Sequence, residues 1–238
     1  MSASPPWTTF LLLIRGSVLK AELAPFVGPL LDKILLTKRS IMPYCRQARP
    51  REFDDDTALL AAIKVFSDLG FEGSSTDALT RAMGIGRQSL YDTFGDKWRL
   101  YLKALQRYTA DSISEQIRVL NGGPSALKGL EAHIYGAVNN ALADPSPSCL
   151  GISAICEFGQ SNPELAMISE TANRTLLSAL ERRMSEAKRE GEIGSDVDAR
   201  EAAAFFGAAL VGIKVAARAG ASSEHLRGIA RMALRSLR

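Results

Sequence analysis

Hydrophobic positions recur at helical spacing through most of the chain. Leu59, Ala62, Ile63 and Phe66 stand at i, i+3, i+4 and i+7, the pattern of a helix that buries one side. The acidic run Asp54-Asp55-Asp56 precedes them and suits a helix N-terminus, where aligned peptide dipoles favour negative charge. A first helix is expected to begin after this run and to supply core.

From Ser74 to Phe94 the pattern shortens into two helices around a glycine turn. Ser74 or Ser75 is the expected N-cap of the first, and Ser74 and Asp77 have the spacing of a capping box. Leu79, Ala82 and Met83 give this helix one apolar side, and Gly84 ends it by entering the left-handed region without a Cβ penalty. The second helix, from about Arg87 to Phe94, turns Leu90 and Phe94 inward and leaves Arg87, Gln88, Ser89, Tyr91 and Asp92 outside. That outer face is rich in hydrogen-bonding groups and only lightly charged, as expected of a surface that touches base edges. Two helices joined in this way have helix-turn-helix geometry, in which the second lies in the DNA major groove. Two core helices joined by a turn would show the same local pattern.

Gly95-Asp96-Lys97 ends that helix and caps a long one from about Lys97 to Leu120, with Trp98, Tyr101, Leu102, Leu105 and Tyr108 along one side and Asn121-Gly122-Gly123-Pro124 as its stop. At 1.5 Å per residue it reaches about 30 Å, enough to leave one domain and enter another. Helices follow over 125–143, with Leu127, Leu130, Ile134 and Val138 on one side, and over 149–158. A further helix starts at Asn162-Pro163-Glu164 and ends at Gly191. Asp198-x-x-Glu201 opens the next, over 199–219, and Ser222 or Ser223 opens the last. No stretch alternates as a strand does, so the expected fold is all-α.

Composition narrows the function. A chain of 238 residues has room for a substantial core, and its formal net charge of +3 and isoelectric point near 8.8 permit a polyanionic partner without requiring one. Cys45, Cys149 and Cys156 are too few and too irregular for a disulfide framework or a zinc site, and fit a reducing cytoplasm. Cys149 and Cys156 lie seven apart, two turns of the expected helix and about 10 Å, too far for a disulfide without movement. His133 and His225 have no ligand spacing around them, so no metal or cofactor is expected. Phosphate loops, nucleophile elbows, HExxH and CxxC patterns are all absent, which argues against an enzyme. The apolar run 9–14 is too short to cross a bilayer and lacks a basic stretch ahead of it, so no membrane role is expected.

Arg49-Pro50-Arg51-Glu52-Phe53, then Ala61-Ala62-x-x-Val65-Phe66-x-x-x-Gly70-Phe71, then Ser89-Leu90-Tyr91-x-x-Phe94-Gly95-Asp96-Lys97 resemble, in order and spacing, the N-terminal domain of the TetR/AcrR family of transcriptional regulators. The resemblance implies three parts: an N-terminal extension over 1–48, a three-helix helix-turn-helix domain over 49–96, and a larger helical ligand-binding and dimerisation domain over 97–238. Family members begin just before the RPREF-like arm, so residues 1–41 are expected to be absent from the cellular protein, with Met42 as its start. The implied function is a ligand-responsive repressor that binds a near-palindromic double-stranded DNA operator as a homodimer. The alternatives are an activator, or a helical ligand-binding or adaptor protein without DNA binding.

Within that scheme Arg87, Gln88 and Ser89 would contact base edges, and Tyr91, Lys97, Ser75 and Thr76 would hold phosphates. Arg49 and Arg51, with Arg46, would form an arm for phosphate or the minor groove. An unidentified small-molecule inducer would enter a pocket drawn from Trp98, Tyr101, Tyr108, His133, Cys149, Cys156, Phe158 and Met167, although for each of these core packing is the plainer role. The small and apolar residues Ala202, Ala203, Phe206, Gly207, Leu210, Val211 and Ala217 of the 199–219 helix, together with Lys214, would belong to a four-helix dimer interface.

Overall fold

The computed structural model describes residues 54–143 and 149–238. Arg46, Arg49, Arg51 and the expected extension over 1–48 lie outside the described residues. The described residues form nine helices and no strand: α1 (Asp55–Gly73), α2 (Thr76–Met83), α3 (Arg87–Phe94), α4 (Lys97–Asn121), α5 (Ala126–Ala143), α6 (Leu150–Phe158), α7 (Pro163–Arg189), α8 (Ala199–Arg218) and α9 (Ser223–Arg235).

Caps set most of these boundaries. The Asp54 carboxylate accepts the Asp56 and Thr57 backbone N–H groups at 3.3 and 3.1 Å and the Thr57 hydroxyl at 2.6 Å. These bonds, the hydroxyl's above all, hold its pKa below the ordinary aspartate value. Asp55 and Asp56 already belong to the first turn, so α1 starts inside the acidic run rather than after it. Asp96, Asn162, Asp198 and Ser222 cap α4, α7, α8 and α9 through their side chains.

Near its end α1 is broken at Gly70, whose φ of 72° and ψ of −178° only glycine adopts at low cost. The break frees a carbonyl, and the buried Ser74 hydroxyl donates to it at 2.5 Å. Ser74 is therefore not the cap of α2. Ser75 takes that role, accepting the Ala78 N–H at 3.1 Å, and Asp77, expected to complete a box with Ser74, turns instead to Arg87.

Two cores organise the packing. Ala58, Ala62 and Phe66 of α1 meet Leu79 and Met83 of α2, Leu90 and Phe94 of α3, and Leu100, Tyr101, Ala104 and Leu105 of α4. Leu150 and Ala154 of α6 and Leu165 of α7 join the same cluster. The second core draws on the end of α4 at Leu120 and on α5, α7, α8 and α9, with Ile134, Met184, Phe206, Ile213 and Leu226 fully buried. Helix α4 thus runs from one core into the other.

Candidate functional site

Helices α2 and α3 are each eight residues long and meet at Gly84, which takes the left-handed conformation (φ 68°, ψ 25°). Burial of Leu79, Met83, Leu90 and Phe94 anchors both helices to α1 and α4 and fixes which side of α3 faces out. On that side Arg87, Gln88, Tyr91 and Asp92 are exposed and Ser89 is half-buried. The Arg87 guanidinium bonds the Asp77 carboxylate through Nε at 3.0 Å and Nη2 at 2.6 Å, tying the start of α3 to the first turn of α2. Gln88 Nε2 donates to Asp92 at 2.8 Å one turn along. Gly86, the N-cap of α3, offers no side chain, so the first N–H groups of α3 carry no side-chain cap. Such a helix end attracts phosphate.

The flanking residues are less uniform. Ser75 is exposed and Thr76 half-buried at the start of α2. Because Ser75 Oγ accepts the Ala78 N–H, its own hydroxyl hydrogen is left to donate outward. Lys97, at the first position of α4, is half-buried with its ammonium 4.2 Å from the centre of the Phe71 ring.

The expected pocket residues divide into two groups. Trp98, Tyr101 and Phe158 pack with Phe71 in an aromatic cluster with ring centroids 5.2 to 5.8 Å apart. They belong to the first core, because the Gly70 break drives Phe71 between α4 and α6. Tyr108, His133 and Cys149 instead line a cavity of about 290 Å³ with Ser112, Gln116, Asn140 and Lys214. Met167 is exposed, and exposed Cys156 lines a neighbouring groove that shares Cys149 and Lys214 with the cavity. Cys149 is the N-cap of α6 rather than part of it, so the two cysteines do not share a helix face. Ser112 and Gln116 follow Tyr108 at i+4 and i+8 along α4, a polar stripe that the sequence carried. Lys214, the lone charge within an otherwise apolar stretch of α8, was a second such signal.

Burial favours the neutral forms of His133 and Tyr108 in the cavity. His133 is buried, hydrogen-bonds Gln116 Oε1 through Nε2 at 3.2 Å and leaves Nδ1 without a partner. Burial, aided by the Lys214 charge, pulls its pKa down to about 4. Burial likewise raises the pKa of the Tyr108 hydroxyl, which lies beside Cys149 and the Leu150 backbone. Among the described residues no group of three or more side chains could hold a metal ion, and no helix is long and apolar enough to cross a membrane.

On α8, Ala203, Phe206, Leu210 and Ile213 are buried in the chain's own core, and a Cβ at Gly207 would come 3.0 Å from Leu177 of α7. Those small residues therefore let α7 approach. The outward face is Phe205, Val211 and Val215, which with Met232 of α9 are each about half exposed or more.

A helix-turn-helix head carried by a long helix into a larger helical body with an open cavity is the architecture of a DNA-binding transcriptional regulator. Residues 58–104 match the family model described as bacterial regulatory proteins, tetR family, and residues 126–233 match the tetracyclin repressor-like C-terminal domain. The HTH-type transcriptional regulator YezE of Bacillus subtilis (strain 168) is 32% identical over 182 residues, which cover 75% of this chain and 93% of that protein. The HTH-type transcriptional repressor ComR of Escherichia coli (strain K12) is 27% identical over 191 residues, 79% of this chain and 91% of ComR. A solved structure of the TetR family regulator CifR, a cysteine mutant complexed with 26-bp double-strand operator DNA, is 32% identical with a TM-score of 0.67, covering 80% of this chain and all of that one. The chain belongs to the TetR family of transcriptional regulators.

Proposed function

We propose that the protein is a ligand-responsive repressor that binds a near-palindromic operator as a homodimer in the cytoplasm. Residues 49–96 act as the DNA-reading domain and 97–238 as the ligand-binding and dimerisation domain. The observation that carries the reading is the outer face of α3, where Arg87, Gln88 and Tyr91 stand exposed beside an uncapped helix N-terminus while Leu90 and Phe94 anchor the opposite side.

Arg87, Gln88 and Ser89 supply base-edge contacts, for which a guanidinium or a carboxamide can bond one base twice. Tyr91, Lys97, Ser75 and Thr76 hold phosphates and set register; Lys97 reaches them by swinging off the Phe71 ring. On sequence grounds the arm carrying Arg49 and Arg51 adds phosphate or minor-groove contacts. Repression is supported by the name of ComR, and operator binding by the CifR complex.

The exposed apolar face of α8 and α9 is the dimer surface, and two copies place two α3 helices about one DNA turn apart. The inducer enters the cavity lined by Tyr108, His133 and Cys149, and it releases DNA only in so far as it binds the DNA-free arrangement more tightly. Selection of duplexes from a random library by the purified protein tests the reading: enrichment of an inverted repeat supports it, and no enrichment overturns it.

A further inference from the structure

We propose that Glu157 is a positioning residue for operator binding, clasping the junction between α1 and α2 and linking it to the ligand cavity. The Gly70 break leaves the Phe71 and Glu72 N–H groups without the carbonyls that an unbroken helix would supply. Glu157, at the end of α6, accepts both: Phe71 N at 2.9 Å on Oε2 and Glu72 N at 2.8 Å on Oε1. With Ser74 donating to the Gly70 carbonyl, the break's two amides and that carbonyl each have a side-chain partner. The carboxylate thus acts as a helix cap supplied 86 residues away in sequence. A Cβ at Gly70 would lie 3.1 Å from Glu157 Oε2, so a side chain there would push on the carboxylate as well as strain the φ of 72°.

Its position makes it a coupling point. The segment it holds leads directly into Ser75 and α2, and Phe71 packs on Trp98 at the start of α4 and carries the Lys97 ammonium. At its other end α6 is preceded by its N-cap, Cys149, which lines the cavity against Tyr108. Nine residues of helix span about 13 Å between the two ends. A ligand that displaces the Tyr108 hydroxyl from Cys149 and Leu150 shifts α6 as a unit and pulls Glu157 from its two amides. By reciprocity, operator binding tightens the clasp.

The inference rests on the proposed repressor reading, and the test separates the two. The wild type and Glu157→Gln are compared for affinity to a duplex selected by the wild type and to a scrambled duplex. Amide exchange at Phe71 and Glu72 and thermal melting are recorded alongside. The glutamine keeps one acceptor and turns an N–H₂ toward the second amide, so melting falls by a few degrees, and the expected result is about tenfold weaker binding of the selected duplex with scrambled binding unchanged. Exchange at Phe71 and Glu72 speeds up in the variant, and in the wild type slows on adding the selected duplex but not the scrambled one. Equal affinity of the two proteins for the selected duplex, equal losses on both duplexes, or exchange indifferent to the selected duplex overturns the clasp. A wild type that selects no sequence overturns the repressor reading itself.

Discussion

Arg87 and Asp77 form an ion pair at 2.6 Å that crosses the turn between α2 and α3. Both side chains are largely exposed, so the pair adds little to stability and acts chiefly by aiming the guanidinium. It also raises the Arg87 pKa, through the hydrogen bond first and the Asp77 charge second. Asp77→Asn is expected to release Arg87 to any nearby phosphate, tightening binding to all duplexes while shrinking the ratio of selected to scrambled affinity. A ratio unchanged in titrations at fixed salt would show that the pair orients nothing.

The side chains on and beside α3 divide by role. Arg87→Ala or Gln88→Ala should lose discrimination at particular base pairs by on the order of ten- to hundredfold, whereas Lys97→Ala should weaken all sequences alike and flatten the salt dependence by about one charge. Affinity measured on single-base operator variants over a salt series separates these outcomes. Uniform losses from all three substitutions would refute the division.

Gly70→Ala should destabilise the fold by about 1 to 3 kcal/mol, because alanine must either adopt the glycine-only conformation or undo the break. Thermal melting measures it. A loss no larger than that of an exposed alanine substitution elsewhere on α1 would show that the break is easily removed.

The helix boundaries were legible in the sequence because their causes are local. Gly84, Asp96, Asn162 and Asp198 each act on backbone groups within about one turn. The contact between Glu157 and the Gly70 break was not legible, since nothing near residue 157 marks it as a cap for residues 71 and 72. For the same reason Trp98, Tyr101 and Phe158 could be read as pocket residues: only the packed positions of Phe71 and α6 decide between cavity and core. The cavity half of the reading rested on Tyr108, His133 and Cys149, and Lys214, expected at the dimer interface, reaches the cavity from α8.

His133 gives the body a pH signature. Its folded pKa of about 4 lies below the ordinary histidine value of 6.5, so the unfolded chain binds more protons between those values and stability falls as pH drops through that window. From pH 7 to pH 5 the histidine should contribute a loss on the order of 2 kcal/mol, absent in His133→Gln. Melting curves at the two pH values check this, and equal pH dependence in both proteins would mean that His133 titrates normally.

Phe205 is 52% exposed on the outward face of α8, which also carries Val211 and Val215. Replacing it with glutamate should convert the dimer to monomer in size-exclusion chromatography with light scattering and abolish binding to a two-half-site duplex. A dimer that survives the substitution would place the subunit contact elsewhere.

The most direct test of the central claim is a gel shift of the purified full chain on duplexes from its own upstream region, at fixed salt with excess nonspecific competitor. A competitor-resistant complex with the stoichiometry of one or more dimers per duplex is expected, and it is lost in Gln88→Ala. A folded dimer that binds nothing beyond the competitor, on that DNA and on library-selected duplexes alike, would contradict that claim.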